Sequence, residues 1–151
     1  MRITVASSTA DGRMMPIRDI FRIHGEPQFR AIETATLRRA LAEVSSPTVI
    51  ALGGGTFIQA ANAELLRNAD AQVVFLEPTI EEMLERCRVE TQSSTENQRP
   101  LAADPDAFRA LYEQRFPQYR KADLTVNTAG ASVEENARKI ADNLHFGGEG
   151  P

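Results

Sequence analysis

The stretch Val49 to Phe57, "VIALGGGTF", joins an apolar run to three glycines, and the fold turns on how it is read. From Pro47 the segment "PTVIALG" is apolar at successive positions, as in a central parallel strand covered on both faces, and the glycines close it. Three glycines after a buried strand fit a tight turn. They also fit an anion or hydroxyl site, where N–H groups uncovered by side chains sit beside a helix start. A nucleotide phosphate loop is excluded, because G-x-x-x-x-G-K-[ST] needs a lysine and "GGGTFIQAAN" has none. No other stretch of the chain supplies that motif.

Downstream of the glycines, Ala60 to Asn68 reads as a short helix and "AQVVFLE" from Ala71 as a second buried strand. Pro78-Thr79 opens a helix in which Thr79 and Glu82 fit a capping box and Ile80, Met83, Leu84 and Cys87 form a core stripe. Val89 to Pro105 is polar and aperiodic, with the composition of a lid. A helix resumes at Asp106 with Phe108, Leu111 and Tyr112 on one face, and "DLTVNT" from Asp123 is a last strand. Ser132 and Glu135 form another capping box, opening a helix lined by Val133, Ala137, Ile140 and Leu144 that Gly147-Gly148 ends. Upstream, Arg2 to Ala6 reads as a short strand followed by a polar loop through Gly12. A brief helix from Ile17 ends near His24-Gly25-Glu26-Pro27, and a longer one runs from about Gln28 to Val44 on Ile32, Leu37, Leu41 and Val44. Alternating strands and helices imply an α/β domain with a mostly parallel sheet.

The 151 residues suit one domain, and 42% apolar composition is ordinary for a globular protein. A net charge of -4 gives no broad basic face for nucleic acid or anionic membranes, so a small-molecule partner is expected. Cys87 is the single cysteine, which rules out an intrachain disulfide and cysteine-pair zinc spacing and suits a reducing cytoplasm. No apolar stretch approaches the roughly 20 residues of a membrane span, and Met1 to Arg18 lacks the apolar core of a signal peptide. The Ser, Thr and Arg of "MRITVASSTADGR" echo a transit peptide, against which Asp11 argues.

Four places carry chemistry. In "FRAIE", Arg30 and Glu33 are three apart on a helix, the spacing of an exposed ion pair or of an arginine held ready for a carboxylate. "QRPL" puts Arg99 in the lid, and "EQRFPQYRKAD" puts Arg115 at a helix end before Pro117. Either arginine suits a solvated surface, and one on a closing loop also suits transition-state phosphate charge. His24 and His145 have no partners at metal spacing, and Cys87 on its stripe reads as buried rather than nucleophilic.

Taken in order, "IRDIFRIHGEPQFRAIE", "VIALGGGTF", "VVFLEPTIEEMLERC", "RPL", "LYEQRFPQYRKADLTVNT" and the capped last helix resemble the shikimate kinase family from Ile17 to Leu144. The resemblance implies a three-layer αβα parallel sheet of the P-loop kinase type. It also implies a single domain over residues 1–147 with a lid at about 89–105, and a tail at 148–151. The family transfers the γ-phosphate of ATP, with Mg2+, to the 3-hydroxyl of shikimate in aromatic amino acid biosynthesis. By motif, Arg30 and Arg115 would clamp the shikimate carboxylate, Glu33 would orient Arg30, and Gly53, Gly54 and Gly55 would hold the substrate by backbone groups. Arg99 would be the catalytic lid arginine on the phosphates, and Arg86 would lie near the adenine. A bidentate guanidinium suits a planar carboxylate, and lid closure excludes water.

The sequence also departs from the family. There, a P-loop strand, its helix and a strand with two aspartates precede the part matched from Ile17, so the fold is expected to be incomplete at the N-terminus. Backward alignment puts Ile3 to Ala6 on the aspartate-bearing strand, with Thr4 and Ala6 at the aspartate positions; the central slot is the other place for Arg2 to Ala6. ATP and Mg2+ are thus implied by the resemblance while their P-loop and aspartate ligands are absent, and no metal ligand is assigned. "NTAGAS" from Asn127 lacks an arginine often found there. Two functions follow: a shikimate kinase-like phosphotransferase, or a non-catalytic homologue that binds a small carboxylate or a protein partner. A gluconate kinase-like reading is disfavoured by the "GGG", "FRxxE" and "RxPxY" set. The expected protein is cytoplasmic and monomeric, with no nucleic-acid or membrane partner.

Overall fold

The computed structural model describes residues 7–8, 14–15, 17–45, 48–93 and 104–144. They fall into two compact units that divide between Ala71 and Gln72.

In the first unit, β1 (Ser7–Ser8) pairs antiparallel with β2 (Met14–Met15), Ser7 opposite Met15. Ser7 and Ser8 were expected in a loop; their pairing with a methionine pair could not be read locally. Helix α1 (Ile17–Glu43) is interrupted at Gly25, whose φ of 75° and ψ of 172° break the helical path where the sequence places the end of one helix and the start of another. Past the break, Phe29, Glu33, Leu37 and Ala40 are buried along one helix face. Val44, expected on that face, is 42% exposed beyond the helix end. Helix α2 (Ala60–Asn68) occupies the expected range, buries Asn62 and Leu66, and packs on α1.

The expected strand before the glycines is not one among the described residues. Thr48 to Leu52 belongs to no ladder, and Val49 is 81% exposed. An apolar run becomes a strand only when neighbours accept its N–H and C=O groups, and no described strand pairs with it. The turn that follows does form: the Thr56 N–H donates to the Gly53 carbonyl at 2.9 Å.

In the second unit, β3 (Val74–Glu77) and β4 (Leu124–Asn127) run parallel, Val74 opposite Leu124. A parallel pair requires a long crossover, here carried by α3 (Ile80–Ser93) and α4 (Pro105–Tyr119). α3 opens as its capping box predicts, Thr79 N–H on Glu82 Oε2 and Glu82 N–H on Thr79 Oγ1, both at 3.1 Å. Cys87 is buried on it, and Ile80, Met83 and Leu84 are half-buried. Residues 89–93 of the expected lid are instead the last part of α3, and Asp104 caps α4 by accepting from the N–H groups of Asp106 and Ala107. Phe75 stacks on Tyr119 at 5.2 Å, and Tyr112 and Phe116 complete an aromatic cluster. Helix α5 (Val133–Asn143) has the expected Ser132–Glu135 capping box and packs on β4. Its apolar stripe is only partly covered: Ile140 and Leu144 are half-buried, while Ala137 is exposed and Val133 is 81% exposed.

The readings of Arg2 to Ala6 as a strand, of Gly12, Pro47, His145 and Gly147-Gly148, and of Arg99 within 94–103 lie outside the described residues. No helix among the described residues is long and apolar enough to cross a membrane.

Candidate functional site

The first unit gathers the predicted residues Arg30, Glu33, Gly53 and Gly55 around one guanidinium. Arg30 and Glu33 are one turn apart on the half of α1 beyond Gly25, so both side chains project from the same face. Arg30 Nη1 donates to Glu33 Oε2 at 2.6 Å, a short charge-assisted bond. Glu33 is only 6% exposed, and a carboxylate that deep needs several donors. Its other oxygen, Oε1, accepts from Thr56 Oγ1 at 2.8 Å, and Gln59 Nε2 reaches Oε2 at 3.4 Å. Thr56 is held in turn, because Asn62 Nδ2 donates to its carbonyl at 3.0 Å.

The glycines matter here by what they lack. A Cβ on Gly55 would stand 2.5, 2.7 and 2.8 Å from Nη1, Nη2 and Cζ of Arg30, so the guanidinium occupies the space a side chain would fill. A Cβ on Gly53 would meet Thr56 Oγ1 at 3.2 Å and Glu33 Oε1 at 3.3 Å. The loop and the arginine therefore pack as one surface.

Sequence reading missed Glu26, Thr56, Gln59 and Asn62. Glu26 Oε1 accepts from Arg30 Nε at 3.1 Å and Nη2 at 3.0 Å, a contact signalled by the four-residue spacing in "GEPQFR". The bonds of Thr56 and Gln59 to Glu33 span 23 and 26 residues and leave no local signal. Burial works against the charge of Arg30, but hydrogen bonds and charges from Glu33 and Glu26 outweigh it and hold its pKa above the ordinary value. The guanidinium stays charged and fixed, with donors suited to a ligand carboxylate.

The other predicted residues lie in the second unit. Arg115 is half-buried within α4, which runs on through Pro117 to Tyr119 rather than ending before it. Among the described residues Arg115 makes no ion pair, unlike Arg109 with Glu81 and Arg120 with Glu77. Arg86 is exposed on α3, and its charge helps hold the Glu82 carboxyl below its ordinary pKa, after the larger effects of the Gly130 and Thr79 N–H groups. Among the described residues no group of three or more His, Cys, Asp or Glu is arranged to hold a metal ion.

A family model described as shikimate kinase matches residues 9–145. A shikimate kinase of Geobacter metallireducens is 37% identical over 137 residues, covering 89% of this chain and 72% of the relative. One of Lactococcus lactis subsp. lactis is 36% identical over 129 residues, covering 85% of this chain and 75% of the relative. Among solved structures, Acinetobacter baumannii shikimate kinase in complex with shikimate aligns with a TM-score of 0.69 and 31% identity, over 83% of this chain and 68% of that one. The Aquifex aeolicus enzyme aligns with a TM-score of 0.67 and 29% identity, over 87% of this chain and 75% of that one. The fold is the α/β fold of P-loop kinases, and the relatives are ATP-binding transferases of aromatic amino acid biosynthesis. Matched along most of its length by shikimate kinases in both sequence and fold, the chain belongs to the shikimate kinase family.

Proposed function

We propose that these residues form the acceptor half of a shikimate kinase site, with shikimate as the ligand. The observation that carries the reading is the Arg30 guanidinium, locked by Glu33 and packed against the Gly55 backbone. Arg30 takes the shikimate carboxylate, Glu33 orients it, and Gly53, Gly54 and Gly55 hold the ring hydroxyls by backbone groups. Arg115 is the second carboxylate arginine by its match in "RFPQY". The Acinetobacter relative solved with shikimate supports this choice of ligand.

ATP supplies the transferred phosphoryl group in this family, and Mg2+ neutralises its charge. The residues present do not fit that pair. Both lysines, Lys121 and Lys139, follow an arginine rather than a glycine, so no G-x-x-x-x-G-K-[ST] cradle is written here. Arg99 as the lid arginine and Arg86 as the adenine-side residue rest on motif alone. Among these residues the reading therefore rests on the acceptor side, and turnover separates a phosphotransferase from a homologue that binds the acid alone. We also read residues 1–147 as one cytoplasmic, monomeric domain.

Calorimetry with shikimate, with and without ATP, tests the proposal. The expected result is shikimate binding that needs no nucleotide and is lost in Arg30→Ala. No binding by the unmodified chain, or full binding by Arg30→Ala, overturns it. ATP-dependent release of phosphoshikimate would remove the non-catalytic reading.

A further inference from the structure

Arg30 carries two carboxylates, and their surroundings differ sharply. Glu33 is buried and fixed by Thr56 and Gln59 as well as by Arg30. The Glu26 side chain is 63% exposed, and Arg30 is its single partner among the described residues. One acid is built into the core, and the other rests on the guanidinium from the solvent side.

The contact made by Glu26 is the one an external carboxylate would seek. A single oxygen, Oε1, accepts from both Nε and Nη2 and so occupies the side fork that an incoming carboxylate could engage with two oxygens. With both acids engaged, the cluster of one cation and two anions carries a net charge of -1. An arriving anion would meet repulsion and an occupied fork. If Glu26 leaves, it returns to water at little desolvation cost, because it is already exposed. Glu33 has no such exit, since releasing it would strand a buried charge. The position of Glu26 also favours release: it is the first residue after the Gly25 break, where the helical hydrogen-bond path is interrupted.

We propose that Glu26 is a resident carboxylate that occupies the side fork of Arg30 in the ligand-free protein and is exchanged for the ligand's carboxylate. It thereby sets a threshold for acid binding: a ligand must offer a carboxylate able to outcompete a tethered one. A ligand that matches shikimate in its hydroxyls but lacks the acid group has nothing to displace Glu26. The inference rests on the assignment of Arg30 as the carboxylate anchor.

The test compares unmodified protein with Glu26→Gln and Glu26→Ala by calorimetry with shikimate, alongside Arg30→Ala. Both Glu26 variants should bind shikimate more tightly by about 2- to 5-fold, the order expected when an exposed ion pair no longer competes. Their affinity for shikimate methyl ester, which carries no charge, should change by less than twofold. Equal or weaker shikimate binding by both Glu26 variants, with binding lost in Arg30→Ala, overturns the exchange alone and makes Glu26 a support for Arg30. Undiminished binding by Arg30→Ala overturns the anchor assignment and the exchange with it.

Discussion

Replacing Gly55 with alanine tests the packing of loop and arginine most directly. The added Cβ would fall 2.5 to 2.8 Å from three guanidinium atoms of Arg30, closer than real contacts allow, so something must move. What moves is the end of a flexible side chain, and the arginine swings off its seat. The bond lost is Nη1 to Glu33 Oε2 at 2.6 Å. A hydrogen bond to a charged group contributes about 1.5–3 kcal/mol. At about 1.4 kcal/mol per tenfold, shikimate affinity should fall roughly 10- to 100-fold. Calorimetry on protein shown by circular dichroism to be folded gives the number. Because the effect acts through Arg30, Gly55→Ala and Arg30→Ala should be strongly non-additive. Gly53→Ala, whose nearest contacts are 3.2 and 3.3 Å, serves as the milder comparison. Wild-type affinity in Gly55→Ala, or losses that simply add with Arg30→Ala, would refute the argument that the glycine exists to seat the arginine.

Four further outcomes are expected. Arg115→Ala should abolish shikimate binding, and unchanged affinity by calorimetry removes Arg115 from the carboxylate site. Leu37→Ala, at a side chain 2% exposed in the first unit, should lower stability by about 2–5 kcal/mol in urea titrations; a loss below 1 kcal/mol would mean that the α1 face is not a packed core. Asp104→Ala should cost about 1 kcal/mol by removing the two bonds that cap α4, with Asp104→Asn largely restoring it. The Glu82 and Glu135 carboxyls are held below the ordinary 4.5, first by the backbone N–H groups of Gly130 and Ser132. Their folded-state values lie below the unfolded ones, so their stabilisation is complete above pH 4.5 and is lost as pH falls through the folded values. The urea midpoint should drop on that acid side, and Glu82→Gln should flatten the drop; an unflattened profile would assign the acid loss elsewhere.

What the sequence reveals depends on how far apart the interacting atoms lie along the chain. The capping boxes at Thr79–Glu82 and Ser132–Glu135 close within four residues, and both appear as read. The break at Gly25 is equally local, since one backbone angle decides it. Strandedness is a property of pairs, so the apolar composition of Val49 to Leu52 could not reveal that no described strand receives it. Within the site, Arg30 and Glu33 were legible as one turn of a helix, whereas Thr56 enters only because the chain returns to Glu33 after 23 residues. Pro117 misled in another way: a proline suggests a helix end, yet α4 passes through it to Tyr119, where Phe75 offers a ring to stack on.

Gly25 also divides α1 into two pieces. The rings of Phe21 and Phe29, one on each side of the break, meet with centroids 4.4 Å apart. In a continuous helix those residues would be about 12 Å apart along the axis. The break thus folds the helix back on its own aromatics, and the ring contact replaces backbone continuity as the link between the pieces. Native-state hydrogen exchange should then resolve two opening energies within α1, the lower one on the Ile20 side, with the amides around Arg30 protected as long as the unit itself stays folded.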